Sequence, residues 1–167
     1  MLGVKSGRGI YTYTAPGSSE VADVGASSGP AIELAREVTR IGVIGTGTMA
    51  SGIVEVCAKS GYDVVFRARS DEKVAGVRKK IEGSLDKQVQ RGRLAEDARN
   101  ETLSRITGTT ELSDLANVDL VIEAVVEEIG VKRDLFAELD KVCKPGAVLA
   151  TTTSSLPVIE CAMATTR

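Results

Sequence analysis

Short apolar runs alternate with longer amphipathic stretches over most of the chain. The runs at 40–44 (RIGVI), 63–67 (DVVFR), 105–109 (RITGT), 119–123 (DLVIE) and 146–151 (GAVLAT) are apolar or β-branched and bounded by turn residues. They predict five strands. Between them, 48–60, 71–92, 97–104 and 131–142 read as helices, with a last helix over 156–163. In 71–92, Val74, Val77, Ile81, Leu85 and Val89 form one apolar stripe at helical spacing. Strand–helix alternation predicts an α/β fold, a doubly wound, mostly parallel sheet with helices on both faces and 71–92 as a long helical extension. In such a sheet the ligand lies at the carboxyl ends of the strands. The turns at 68–70, 124–127 and 152–155 fall at that edge.

The first 37 residues are different. Residues 15–30 (APGSSEVADVGASSGP) are rich in Ala, Gly, Ser and Pro and read as a linker, and 31–40 read as a short lead-in helix. The expected division is a tail at 1–14, linker and lead-in over 15–37, and a globular part over 38–167.

The first strand runs directly into Gly45-Thr46-Gly47-Thr48-Met49-Ala50 and then a helix. This is a strand–turn–helix dinucleotide-binding pattern. Gly45 permits the tight turn, Gly47 admits a pyrophosphate close to the backbone, and Ala50 takes the small position where helix packs on strand. The N–H groups of the first helical turn, including Thr48 and Met49, face the anion.

Composition removes several classes. With 21 Lys and Arg against 23 Asp and Glu, the net charge of −2 gives no reason to expect nucleic acid or an anionic membrane as partner. No apolar stretch has the length of a membrane span, and the N-terminus has no signal-peptide core. Cys57, Cys143 and Cys161 have no metal-site spacing, and as reduced thiols they suggest a cytoplasmic protein. The sequence has no histidine, so a His triad, a His metal site and a His general base are excluded within it. Lys73, Arg78, Lys79, Lys80, Lys87 and Arg91, off the apolar stripe of 71–92, are either a solvated face or an arm toward an anionic substrate.

Four motifs occur in order: IGVIGTGTMASGI at 41–53, DLVIEAVVE at 119–127, VKRDLFAELD at 131–140 and TTTSSL at 151–156. Together they resemble the N-terminal, Rossmann-type NAD-binding domain of the L-3-hydroxyacyl-CoA dehydrogenases, which include bacterial 3-hydroxybutyryl-CoA dehydrogenases. The resemblance implies an oxidoreductase of fatty-acid or butanoate metabolism that passes hydride between a 3-hydroxyacyl-CoA and NAD; acetoacetyl-CoA would be a substrate of the reverse reaction. It implies that Glu127 and Lys132 contact the cofactor and that Ser154 lies near both nicotinamide and substrate, where its hydroxyl positions the substrate oxygen. It further implies that Ser84 and Arg91, seven residues apart on one helix face, contact coenzyme A, with Arg in place of the family's Lys. The plain alternatives are a helix cap for Ser154 and a surface pair for Glu127 and Lys132. LGVKSGRGIYTY at 2–13 resembles the end of the same family's helical C-terminal domain, which suggests a piece of a tandem protein.

Three features depart from the family pattern. Ala68, flanked by Arg67 and Arg69, stands where the family has a ribose-binding acid. Ala68 with Arg69 would accommodate the 2′-phosphate of NADP, unless Asp71 or Glu72 takes over the ribose contact. Thr152 replaces an asparagine. The histidine segment and the C-terminal helical domain are expected beyond Arg167, so these 167 residues should be inactive alone. The rival reading is a degenerate dinucleotide-fold module with a structural or interaction role.

Overall fold

The computed structural model describes residues 6, 13–18, 20, 22 and 37–167, and divides the chain into compact units at 1–36 and 37–167. In the first unit, the described residues make a turn: the Ser18 amide donates to the Ala15 carbonyl at 3.1 Å, and Gly17 has φ 86°. The tail over 1–14 is described only at Ser6, Tyr13 and Thr14, and its resemblance to a domain end lies outside the described residues, as does most of the linker.

In the second unit the strands are β1 (Arg40–Ile44), β2 (Asp63–Arg67), β3 (Ile106–Thr109), β4 (Leu120–Glu123) and β5 (Val148–Thr151). The helices are α1 (Thr48–Lys59), α2 (Asp71–Gln90), α3 (Glu96–Ser104), α4 (Ile129–Val142) and α5 (Val158–Ala162). All strand pairs are parallel, in the order β3-β2-β1-β4-β5. The order reverses between β1 and β4, which opens a crevice at their carboxyl ends.

Strand alternation builds a core on each face. Ile41, Val43, Val64 and Phe66 pack with Val54 and Ala58 of α1 and with Val77, Ile81 and Leu85 of α2. Ile44, Val65 and Val121 face the opposite side, against Leu135 and Leu139 of α4. The stripe expected along 71–92 is the buried face of α2, with Val77, Ile81 and Leu85 fully inside.

The predicted lead-in helix over 31–40 is corrected at its end. Residues 37–39 are not helical and Arg40 opens β1. The cause is Asp119, at the start of the neighbouring strand. Its Oδ2 accepts from the Thr39 amide at 2.8 Å and the Arg40 amide at 2.8 Å, and holds the segment extended. Residues 31–36 lie outside the described residues. A short 3-10 turn, Leu112–Leu115, was not expected from the sequence; it places Leu115 in the core.

Candidate functional site

The two helices that follow β1 and β2 begin differently. Ser70 caps α2 by accepting from the Lys73 amide at 3.3 Å, and Asp71 and Glu72 add negative charge to its first turn. The start of α1 has neither device. Gly47 is its N-cap without a side-chain bond, and the first turn carries no acid. The positive end of α1 therefore stands open at the crevice, where an anion would complete it.

Gly45 is held at φ 139°, in the region that favours glycine. A Cβ there would run into the Ala124 carbonyl oxygen and approach the Ala50 Cβ to 3.2 Å. The loops after β1 and β4 thus meet backbone to backbone, and the fully buried Ala50 fits because it is small. At Gly47 a Cβ would meet nothing within 4 Å. The space over Gly47 belongs to solvent, and Thr48 and Met49 are exposed beside it.

A cleft of about 610 Å³ runs along this edge, with Gly45, Thr46 and Gly47 on one wall. Val125, Val131 and Leu135 give it an apolar wall fit for a flat base. Ala68 and Arg69 close the β2 side. Ala68 is buried, and its amide donates to Thr109 at 2.9 Å. Arg67 directs Nε to the Thr110 carbonyl at 3.1 Å, whereas Arg69 is exposed. Asp71 and Glu72 are not among the lining residues, so the suggested takeover of the ribose contact has no support here. The carboxylates that do line the cleft are Asp134 and Glu138 of α4, neither singled out from sequence.

The structure brings Glu127, Lys132 and Ser154 together. Lys132 Nζ lies 3.2 Å from Glu127 Oε2. Glu127 Oε1 accepts from Thr153 Oγ1 at 2.5 Å and from the Ser154 amide at 3.1 Å. These bonds, the Thr153 hydroxyl first, hold the Glu127 carboxyl down at about 2. Lys132 is fully buried, so the surface-pair alternative fails for it. Burial opposes its charge, yet the hydrogen bonds it donates to Glu123 and then Glu127, with their negative charge, outweigh this and raise its pKa above the ordinary lysine value. Ser154 is exposed and does not cap α5, whose N-cap is Pro157. The local turn bond comes from Thr153, whose Oγ1 accepts from the Leu156 amide at 3.0 Å. Thr152 keeps the backbone in place through its amide, 3.0 Å from the Glu123 carbonyl.

Sequence reading missed Glu123. It ends β4, is fully buried, and takes Lys132 Nζ at 2.7 and 2.8 Å on its two oxygens. The signal was available, since an acid closing an apolar strand needs a buried cation.

Ser84 and Arg91 lie apart from this cluster, in a groove of about 690 Å³ along α2. Lys79, Lys80 and Lys87 line the same groove. Lys80 Nζ reaches the Thr46 carbonyl at 3.5 Å, which ties the groove to the glycine turn. Arg78 faces elsewhere, paired with Glu82 at 3.2 Å.

An open helix end, a glycine cradle and an apolar-walled cleft fit a dinucleotide. Comparison with known proteins decides which kind. Residues 40–167 match the model of the 3-hydroxyacyl-CoA dehydrogenase NAD-binding domain. The chain belongs to this family. It is 44% identical over 129 residues to a 3-hydroxybutyryl-CoA dehydrogenase of Mycobacterium tuberculosis, covering 77% of this chain and 45% of that one. It is 40% identical over 121 residues to a 3-hydroxyadipyl-CoA dehydrogenase of Escherichia coli, covering 72% of this chain and 26% of the other. The crystal structure of FadB2 from M. tuberculosis superposes with a TM-score of 0.77 at 43% identity, over 78% of this chain and 46% of that chain. That of 3-hydroxybutyryl-CoA dehydrogenase from E. coli gives 0.75 at 39% identity, over 76% and 27%. The chain spans about half the length, or less, of these relatives. Its second unit is a Rossmann-type NAD-binding domain of the 3-hydroxyacyl-CoA dehydrogenase family. Among the described residues, no helix is long and apolar enough to cross a membrane.

Proposed function

We propose that this chain is the cofactor-holding half of an enzyme that oxidises a 3-hydroxyacyl-CoA to the 3-oxoacyl-CoA. C3 loses a hydride and the hydroxyl loses a proton in that reaction. NAD, when bound, supplies the hydride acceptor. The amides opening α1 hold the pyrophosphate, and Val125, Val131 and Leu135 pack the adenine. Glu127 and Lys132 lie at the nicotinamide end. The Ser154 hydroxyl donates to the substrate oxygen and orients it. Ser84 and Arg91 take coenzyme A on α2, where the neighbouring lysines favour its phosphates. The sequence holds no histidine, so an imidazole base must come from outside these 167 residues.

The observation that carries this reading is the bond from the Ser154 amide to Glu127 Oε1 at 3.1 Å. It ties the exposed Ser154, through its backbone, to the carboxylate that the family resemblance assigns to the cofactor, which supports this reading. Calorimetric titration of acetoacetyl-CoA into the NAD-loaded chain tests it. Saturable binding that Arg91→Ala weakens by about tenfold, the loss of one charge-assisted phosphate contact, is the expected result. NAD binding without any acetoacetyl-CoA binding would contradict the substrate assignment. A structural module is the second reading, and the exchange of a ribose-binding acid for Ala68 favours it; such a module binds neither ligand.

A further inference from the structure

Glu123 has a position that the roles above leave unused. It is fully buried at the carboxyl end of β4, and both its oxygens are engaged. Oε1 accepts from Lys132 Nζ at 2.7 Å and from the Val125 amide at 2.7 Å. Oε2 accepts from Lys132 Nζ at 2.8 Å and from Thr151 Oγ1 at 2.6 Å. The ammonium has three protons, and its remaining direction is toward Glu127 Oε2 at 3.2 Å. Glu127 spends its other oxygen on Thr153 and Ser154. One chain of contacts thus joins β4, β5, α4 and the loop that carries Ser154.

We propose that Glu123 is a positioning residue for the nicotinamide end of the site: it clamps Lys132 and, through Glu127, sets the 153–155 loop. This rests on the assignment of Glu127, Lys132 and Ser154 to that end. The physical case is directional. Lys132 has a long, freely rotating stem, and in a buried place its charge must be matched. The bidentate Glu123 carboxylate fixes that stem, so the third donor points at Glu127 rather than sampling the cleft. Thr151 and the Val125 amide fix Glu123 in turn. In the adenine half of the cleft, Ala68, Val131 and Leu135 have apolar side chains that cannot bond to this cluster, and Val125 meets it only through its backbone amide on Glu123 Oε1, a bond that the remaining acceptor oxygen of Glu123→Gln keeps.

The halves can be probed separately with NADH and with ADP-ribose, which lacks the nicotinamide. In Glu123→Gln the amide offers one acceptor oxygen and no charge. NADH affinity should fall by about tenfold, the scale of one lost charge-assisted hydrogen bond, with ADP-ribose affinity unchanged. Thr151→Val leaves no charge unpaired and covers the case in which Glu123→Gln does not fold. It should weaken NADH by about threefold and spare ADP-ribose, a fraction of that same loss. Equal loss for both ligands, or no loss for either, would overturn the proposal. A wild-type chain that binds neither ligand would overturn both this inference and the cofactor-site assignment on which it rests, a result distinguishable from the other two.

Discussion

Glu127 and Ser154 lie 27 positions apart in sequence, and the Ser154 amide donates to Glu127 Oε1 at 3.1 Å. The contact crosses from the loop before α4 to the loop after β5. Glu127 is held at about 2, below its ordinary 4.5, by the Thr153 hydroxyl first and then by the Ser154 amide and Lys132. A carboxyl whose pKa is depressed by folding adds stability above its unfolded value and loses it as pH falls toward the folded value. Wild type should therefore be more stable than Glu127→Gln at neutral pH, with the gap closing between pH 4.5 and 2. Thermal unfolding of both proteins at stepped pH measures the gap. A gap that does not change across that window would show that Glu127 is not tied to the loop.

The two glycines of the turn should respond in opposite ways. Gly45→Ala forces a side chain into φ 139° and against the Ala124 carbonyl. It should destabilise the domain by about 1–3 kcal/mol or more, the usual scale of such strain. Gly47→Val projects into open space from an ordinary φ of −74°. It should keep most of the stability and lose NADH binding, because the valine occupies the pyrophosphate's approach. Paired melting curves and NADH titrations separate the effects. Comparable stability loss in both variants would argue against the cradle.

Cofactor choice follows from the β2 edge. The family binds NAD. Ala68 offers no carboxylate to repel a 2′-phosphate, and the exposed Arg69 lines the same cleft. We expect NADH to bind more tightly than NADPH, but by less than about tenfold, since a single charge-assisted bond from Arg69 offsets part of the difference. Ala68→Asp should widen the ratio and Arg69→Ala should weaken NADPH alone. Dissociation constants for both cofactors with the three proteins decide this. An Arg69→Ala variant with unchanged NADPH affinity would remove the role given to Arg69.

The isolated 167 residues should not turn over substrate. Acid–base catalysis typically contributes about 10²–10⁴-fold, and no histidine is present to provide it in the family manner. Purified chain with NADH and acetoacetyl-CoA, followed at the NADH absorbance, should match a mock preparation. Turnover above that level would mean that a carboxylate or lysine in this chain acts as the base.

Much of the fold was legible because its signals are local. Periodicity places β1 and β2 at their observed bounds and finds the five α-helices of the second unit, but not the 3-10 turn Leu112–Leu115. The misplacements have physical causes. α4 begins at Ile129 rather than 131, where Gly130 interrupts the helical pattern. α5 begins only at Val158, because Thr153 ties down the Leu156 amide and Pro157 precedes the helix. The end of the expected lead-in helix is lost to Asp119, which bonds Thr39 and Arg40 from about 80 positions away. The same reason hid half of the site. Glu123 meets Lys132 nine residues on and Thr151 twenty-eight residues on, across three elements; an acid closing an apolar strand signals that a buried cation is needed, but not which residues supply it. The glycine turn could be read because strand, turn and helix are contiguous there. Asp134 and Glu138 could not, because which face of α4 meets the cleft depends on the packing of Leu135 and Leu139.

The central claim is that the crevice between β1 and β4 holds NAD in the chain as it stands. Titration of the purified 167 residues with NADH, followed by nicotinamide fluorescence and by calorimetry, tests it most directly. The account predicts saturable one-to-one binding that Gly47→Val abolishes without unfolding the domain. Absence of binding up to millimolar NADH, or binding that survives Gly47→Val unchanged, would contradict it.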